Sequence, residues 1–287
     1  MGLTEIAAAE PQLAYSAFVY GTSKRWNFVA RTTPNISSLL NPLEYQLKES
    51  FIPAIIGKQY VPDDIRRIIS LPAKMGGLGI NNIALTSDLE YDNSVAATHA
   101  LADAIYNQNT TYAADNEKQV KILASIKRKR EEHFKKLKAV ILEDSTASTV
   151  RQLELLSEKG ASSWLTSLPL KEYGFLLNKQ EFHDAIALRY NLTLSNLNSP
   201  KECVCGATNS INHCLICKRG GYVILRHNTL RDTTAELLRE VCSDVYTEPP
   251  LLPVRGIQLP NGANVTDGAQ LDVSARSFWT PLDRAFF

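Results

Sequence analysis

The sequence predicts a mostly α-helical N-terminal region, followed by a small metal-binding knuckle and a short α/β segment. Three observations carry that prediction. Apolar residues before the cysteines recur at three- and four-residue steps, the period of an amphipathic helix. All five cysteines, Cys203, Cys205, Cys214, Cys217 and Cys242, crowd into one stretch, which is the usage of a local metal site rather than a disulfide scaffold. Beyond them, residues 270–276 alternate polar and apolar, as in a half-buried strand.

Composition narrows the function classes. Lys and Arg total 31 against 30 Asp and Glu, so the net charge of +1 excludes a protein acting through bulk charge. Hydrophobic residues at 44% and charged residues at 21% supply enough apolar material for real cores and argue against wholesale disorder. The N-terminus has no basic segment followed by an apolar run, Ile6 breaks the myristoylation pattern, and no window approaches a membrane span. These features predict an intracellular chain that does not enter a membrane.

Residues 7–20 form an apolar-rich segment interrupted at Pro11. Asn41-Pro42 predicts a cap with proline at the first helical position, opening a helix to about Phe51 with Leu43, Leu47 and Phe51 on one face. Pro62-Asp63-Asp64 starts another, carrying Ile65, Ile68 and Ile69. The stretch Leu71-Pro-Ala-Lys-Met-Gly76-Gly77-Leu-Gly79-Ile80 is expected to be a tight structural turn, because it lacks the Lys-Ser/Thr ending and preceding strand of a phosphate loop. Residues 85–106 predict an Ala-rich helix and 107–116 a polar linker.

The most basic segment follows. Lys127, Arg128, Lys129 and Arg130 lie at its centre, while Leu123, Ile126, Phe134, Leu137 and Ile141 repeat at helical spacing. Such a face is either merely solvated or an electrostatic footprint for nucleic-acid phosphates. Residues 181–190 predict a helix in which neighbouring His183 and Asp184 point to different faces, a structural rather than catalytic arrangement.

The clearest chemistry is Cys203-x-Cys205, seven intervening residues, then His213-x-x-x-Cys217. Four thiolate and imidazole donors on a short loop suit tetrahedral Zn2+ in a closed, structural site. Gly206 permits the turn after the first pair, and His213 and Cys217 share one side of a helical turn. Cys214 is the alternative fourth ligand in place of His213.

After the knuckle, Asn228 or Thr229 is expected to cap a helix through Cys242, with Leu230, Thr234, Leu237, Leu238 and Val241 facing inward. Arg226, His227 and Arg231 bring positive charge near the metal loop, which suits contact with a nucleic-acid backbone. Residues 251–268 predict a loop, residues 270–276 a strand, 280–284 a turn and 285–287 the start of a return strand.

Together these residues resemble the C-terminal part of non-LTR retrotransposon reverse-transcriptase proteins that carry a restriction-like endonuclease. Trp26-Asn-Phe-Val-Ala-Arg-Thr, Pro42-Leu-Glu and the glycine-rich 71–80 stretch resemble the region at and beyond the polymerase thumb. Gly160-Ala-Ser-Ser-Trp-Leu and Leu188-Arg-Tyr resemble the linker, and the CxC…HxxxC set resembles the family's zinc knuckle. Arg226-His227-Asn228, Arg231-Asp232 and Leu271-Asp272-Val273 resemble the opening of its PD-(D/E)xK nuclease domain.

The resemblance implies four regions: a thumb-like helical bundle over 1–106, a basic helix and linker helices over 107–200, a zinc knuckle over 201–221, and a truncated nuclease-like α/β domain over 222–287. It implies DNA or RNA as partner, a nuclear location, and Asp272 as the first catalytic metal-binding carboxylate. Mg2+ or Mn2+ would serve only a complete nuclease core. The polymerase palm is missing, and the second carboxylate would fall past Phe287, so the expectation is a chain inactive on its own. Two alternatives stand beside this reading: a DNA endonuclease completed by downstream residues or a partner chain, and a zinc-stabilised interaction module.

Overall fold

A computed structural model describes residues 2–194, 202–220, 222–249 and 271–287. The chain divides into two compact units, Met1–Asn196 and Leu197–Phe287. Among its described residues the first is built from helices: α1 (Leu3–Ala9), α2 (Pro11–Ala17), α3 (Ser23–Thr32), α4 (Asn41–Gln46), α5 (Ile52–Ile56), α6 (Asp63–Ser70), α7 (Ile83–Tyr106), α8 (Asn116–Glu143), α9 (Ala147–Leu156), α10 (Ser163–Thr166) and α11 (Lys179–Arg189). No described helix is long and apolar enough to cross a membrane.

Pro11 separates α1 from α2 and occupies the first position of the latter, where its missing N–H costs nothing. The helix expected to end near Phe51 continues through a π-helical turn, Leu47–Phe51, into α5 and stops at Gly57, which takes φ 67°. The widened turn leads into α5, whose second residue is Pro53, a ring that would disturb a regular helix. Leu40 rather than Asn41 holds the cap position; Asn41 and Pro42 are the first two helical residues. At α11, Asn178 and Glu181 form a capping box that starts the helix at Lys179, two residues earlier than its periodicity suggests.

The region 1–106 and the helices of 107–200 contribute to one apolar core. Phe18, Ile52, Ile69, Leu78, Leu153 and Phe182 are all buried within it. The glycine-rich stretch is a structural turn at its centre. Tyr190 donates its hydroxyl to the Gly76 carbonyl at 3.2 Å and Arg189 donates to Gly77 at 3.2 Å. Tyr15 donates to Leu78 at 2.8 Å and Arg66 to Ile80 at 2.9 Å. Four buried side chains thus satisfy carbonyls that no helix or sheet ladder could pair. Burial pushes the Tyr190 phenol up to about 12, so it stays a neutral donor at physiological pH.

Asn82 and Asp115 accept the Leu85 and Lys118 N–H groups and cap α7 and α8. The two helices are tied by Glu90, whose carboxylate accepts from Arg130 Nε at 2.7 Å and Arg31 Nε at 3.1 Å. On α8, Ile126 and Ile141 are buried and Phe134 and Leu137 pack on the core, but Leu123, expected on the same face, is 51% exposed. His183 meets the Ala54 carbonyl at 3.3 Å, and Asp184 accepts from Gln180.

The second unit comprises α12 (Ile211–Ile216), α13 (Tyr222–Val241) and an antiparallel sheet of β1 (Ser243–Thr247), β2 (Val273–Arg276) and β3 (Arg284–Phe286), in that order across the sheet. Among the described residues its core cluster is Ala235, Leu238, Val273 and Ala275, with Cys242 and Val245 against them. Two expectations change here. α13 begins at Tyr222, so Asn228 and Thr229 lie inside it, and Thr229 bonds back to the Leu225 carbonyl as an interior helical hydroxyl does. Its inner face is Ala235 and Leu238, whereas Leu230, Leu237 and Val241 are exposed. Arg231 of the same helix pairs with Glu248, just beyond β1.

β1 was not expected, because only Val245 of its five side chains is even half-covered and no alternation shows. Asp272, expected within a strand, precedes β2 by one residue and accepts the Glu248 N–H through its carbonyl at 2.9 Å. The expected loop 251–268, and positions 201, 221 and 270 of the expected knuckle and strand, lie outside the described residues.

Candidate metal centre

The metal loop is built from two short devices. Gly206 adopts φ 88° and returns its N–H to the Cys203 carbonyl at 2.8 Å, while Cys203 donates to Ala207 at 2.9 Å. An isolated bridge between Glu202 and Thr208 closes this tight hairpin. On the far side, Ser210 accepts the His213 N–H at 3.1 Å and caps α12. That cap sets the first turn of α12, and the Cys217 N–H reaches the His213 carbonyl at 2.8 Å, so His213 and Cys217 stand one turn apart on the same side.

The hairpin and the helix bring four ligand atoms together. One donor atom each from Cys203, Cys205, His213 and Cys217 lies within 4.8 Å of all the others. Cys203 Sγ is 3.7 Å from Cys217 Sγ, and Cys205 Sγ is 3.2 Å from His213 Nε2. Zinc–sulfur bonds of about 2.3 Å and zinc–nitrogen bonds of about 2.0 Å at tetrahedral angles require edges of about 3.8 and 3.5 Å. The Cys203–Cys217 edge matches, the Cys205–His213 edge is slightly short, and the quartet could hold a zinc ion. Cys214 does not join it: its thiol is exposed and donates to Asn209 Oδ1 at 2.9 Å. Cys242 packs on the second unit's core.

The thiols of the quartet also act on one another. The Cys205 backbone N–H draws the Cys203 thiol down, but desolvation and the neighbouring sulfurs outweigh it and hold that thiol above its ordinary range. A divalent cation bound there would displace thiol protons. Ser210, three residues before His213, was the sequence signal for the helix that presents His213, and it is part of the site's construction.

The other candidate residues are dispersed. On α8, Lys127, Arg128 and Lys129 are exposed, and Arg128 has only a loose contact with Glu132 at 3.9 Å. Arg130 is committed to Glu90. On α13, Arg226 is exposed, while Arg231 is bound by Asp232 and Glu248. His227 Nε2 lies 3.4 Å from Asp272 Oδ1, and both side chains are about half exposed. No cluster of three or more Cys, His, Asp or Glu ligand atoms surrounds Asp272 among the described residues. No protein-family model matches this chain, and no curated protein or solved structure matches it.

Proposed function

We propose that this chain is a zinc-stabilised nucleic-acid-binding protein of retroelement origin, related to the thumb, linker and knuckle of non-LTR reverse transcriptases, and that it works by binding rather than catalysis. The convergence of Cys203, Cys205, His213 and Cys217 on a tetrahedral figure carries the proposal. These four residues would hold Zn2+, which supplies a structural cross-link and neutralises the thiolates; with four protein ligands no position remains for a reacting water. The retroelement assignment rests on the resemblance of the residues around this knuckle.

The chain's own cations do the binding. Lys127, Arg128 and Lys129 present charge to solvent along α8, and Lys218 and Arg219 are exposed directly after Cys217. Contacts of this kind go to phosphate and carry no base sequence, so affinity is expected to be general and salt-dependent. Arg130 is left out of the set because its guanidinium is already satisfied.

The test is metal analysis of the purified chain together with fluorescence anisotropy on labelled DNA and RNA oligonucleotides across a salt series. The expected result is one zinc per chain and a log–log salt slope of about −0.9 for every phosphate contacted. Replacing Lys127, Arg128 and Lys129 with alanine should make that slope shallower. Absence of bound zinc, or affinity indifferent to salt and to the triple substitution, would remove the proposal.

A further inference from the structure

α13 carries two apolar stripes, and only one is used. The covered stripe is Ala235 and Leu238, facing β2. The second consists of Leu230 and Leu237, seven residues apart, with Val241 a turn further on; they are 63%, 60% and 74% exposed. At a hundred degrees per residue this stripe lies roughly a quarter-turn or more from the covered one, so no single packing partner can bury both. Seven-residue spacing is the repeat of a helix–helix seam. The stripe is flanked by Arg226 near one end and Glu240 near the other, both exposed and in no ion pair among the described residues.

We propose that this face of α13 pairs with the same face of a second copy of the chain, the two helices running antiparallel about a two-fold axis near Thr233 and Thr234. The placement of unlike residues argues for a self-complementary partner. Leu230 and Leu237 are equidistant from a point between residues 233 and 234, and Arg226 and Glu240 are equidistant from residue 233. An antiparallel two-fold therefore sets Leu230 of each copy against Leu237 of the other and Arg226 against Glu240, each contact occurring twice. A parallel arrangement would instead leave Arg226 and Glu240 fourteen residues apart along the seam, too far to pair with one another. The polar Thr233 and Thr234 mark the axis, where residues meet their own counterparts. The seam takes Arg226 for protein pairing and leaves phosphate contact to α8 and the end of the knuckle. A seam of one helix pair is short, so the dimer is concentration-dependent rather than obligate.

Sedimentation velocity on the full-length, zinc-loaded, nucleic-acid-free chain over a wide concentration range tests this. The wild-type protein is expected to pass from monomer to dimer as concentration rises. Leu237→Asp should leave it monomeric throughout, with unchanged circular dichroism because Leu237 is exposed. Arg226→Glu and Glu240→Arg should each weaken association at least tenfold by opposing like charges. The double exchange R226E/E240R should restore it, which neither misfolding nor a parallel seam would do. A chain that stays monomeric at every concentration, or a double exchange no better than the single variants, overturns the proposal. Because no oligonucleotide is present, either outcome leaves the nucleic-acid reading to its own test.

Discussion

A Cβ at Gly77 would stand 1.9 Å from the Leu71 carbonyl oxygen, with the Ile68 carbonyl at 2.7 Å. Both obstacles are backbone, so no rotamer change relieves them, and Gly77→Ala is expected to cost at least about 3 kcal/mol. A urea titration should show a lowered midpoint at unchanged slope. Gly21 is the control: it lies in a helical turn with nothing within 4 Å, so Gly21→Ala should be neutral or stabilising by up to about 1 kcal/mol. The same discrimination applies at the metal. Cys217→Ser should abolish zinc retention, whereas Cys214→Ser should keep a full equivalent, because the Cys214 thiol is turned to Asn209. The turn itself was legible in three clustered glycines. Its captors were not, since Tyr15 and Tyr190 stand 63 and 114 positions from the carbonyls they reach. The metal quartet was legible because all its ligands fall within one short span, and the one open choice, His213 or Cys214, was decided by the Ser210 cap that aims the first turn of α12.

Between elements, the Glu90 carboxylate is the link that joins α3, α7 and α8. Its side chain is only 13% exposed. Burial works to raise its carboxyl, but the hydrogen bonds and charges of Arg130 and Arg31 outweigh that and hold it below the usual carboxylate range. A depressed folded value means the stabilisation is whole above the unfolded carboxyl's range and is lost as pH falls through the lower folded value. Glu90→Gln should therefore cost about 1.5–3 kcal/mol at pH 7, the worth of hydrogen bonds to a charged group. The gap between variant and wild type should close as pH drops below about 4, which paired thermal melts across pH would read. A gap independent of pH would show that Glu90 matters by shape alone. Elements with one apolar face, such as α6 and α8, were visible in the sequence. The rotation of α13 was not: periodicity identifies an apolar stripe but not whether a small sheet or another chain covers it, and Val273 and Ala275 offered room for Ala235 and Leu238 instead. β1 escaped for the opposite reason, having almost no covered side to leave a pattern.

The two units divide the molecule's stability unequally. The first has a broad core running from Ala7 to Tyr190, closed by the captured glycine turn. Among its described residues the second has a smaller cluster, Ala235 and Leu238 of α13 against Val273 and Ala275 of a three-stranded sheet whose last strand is three residues long. Small domains are normally completed by a metal, disulfides or association. None of the five cysteines is in a disulfide, which leaves the quartet as the internal staple. A ligand bound only by the folded state adds stability with the logarithm of its excess over Kd, about 4.1 kcal/mol at a thousandfold excess. Zinc is therefore expected to govern the second unit while the first is indifferent to it. Calorimetry of the full chain should show two transitions; a strong chelator should lower one and leave the other within a degree. Hydrogen exchange should assign the lowered transition to α12, α13 and the sheet, with α7, α8 and the glycine turn still protected. If chelation instead moved both transitions together, the cores would be energetically coupled and the metal would be stapling the whole chain.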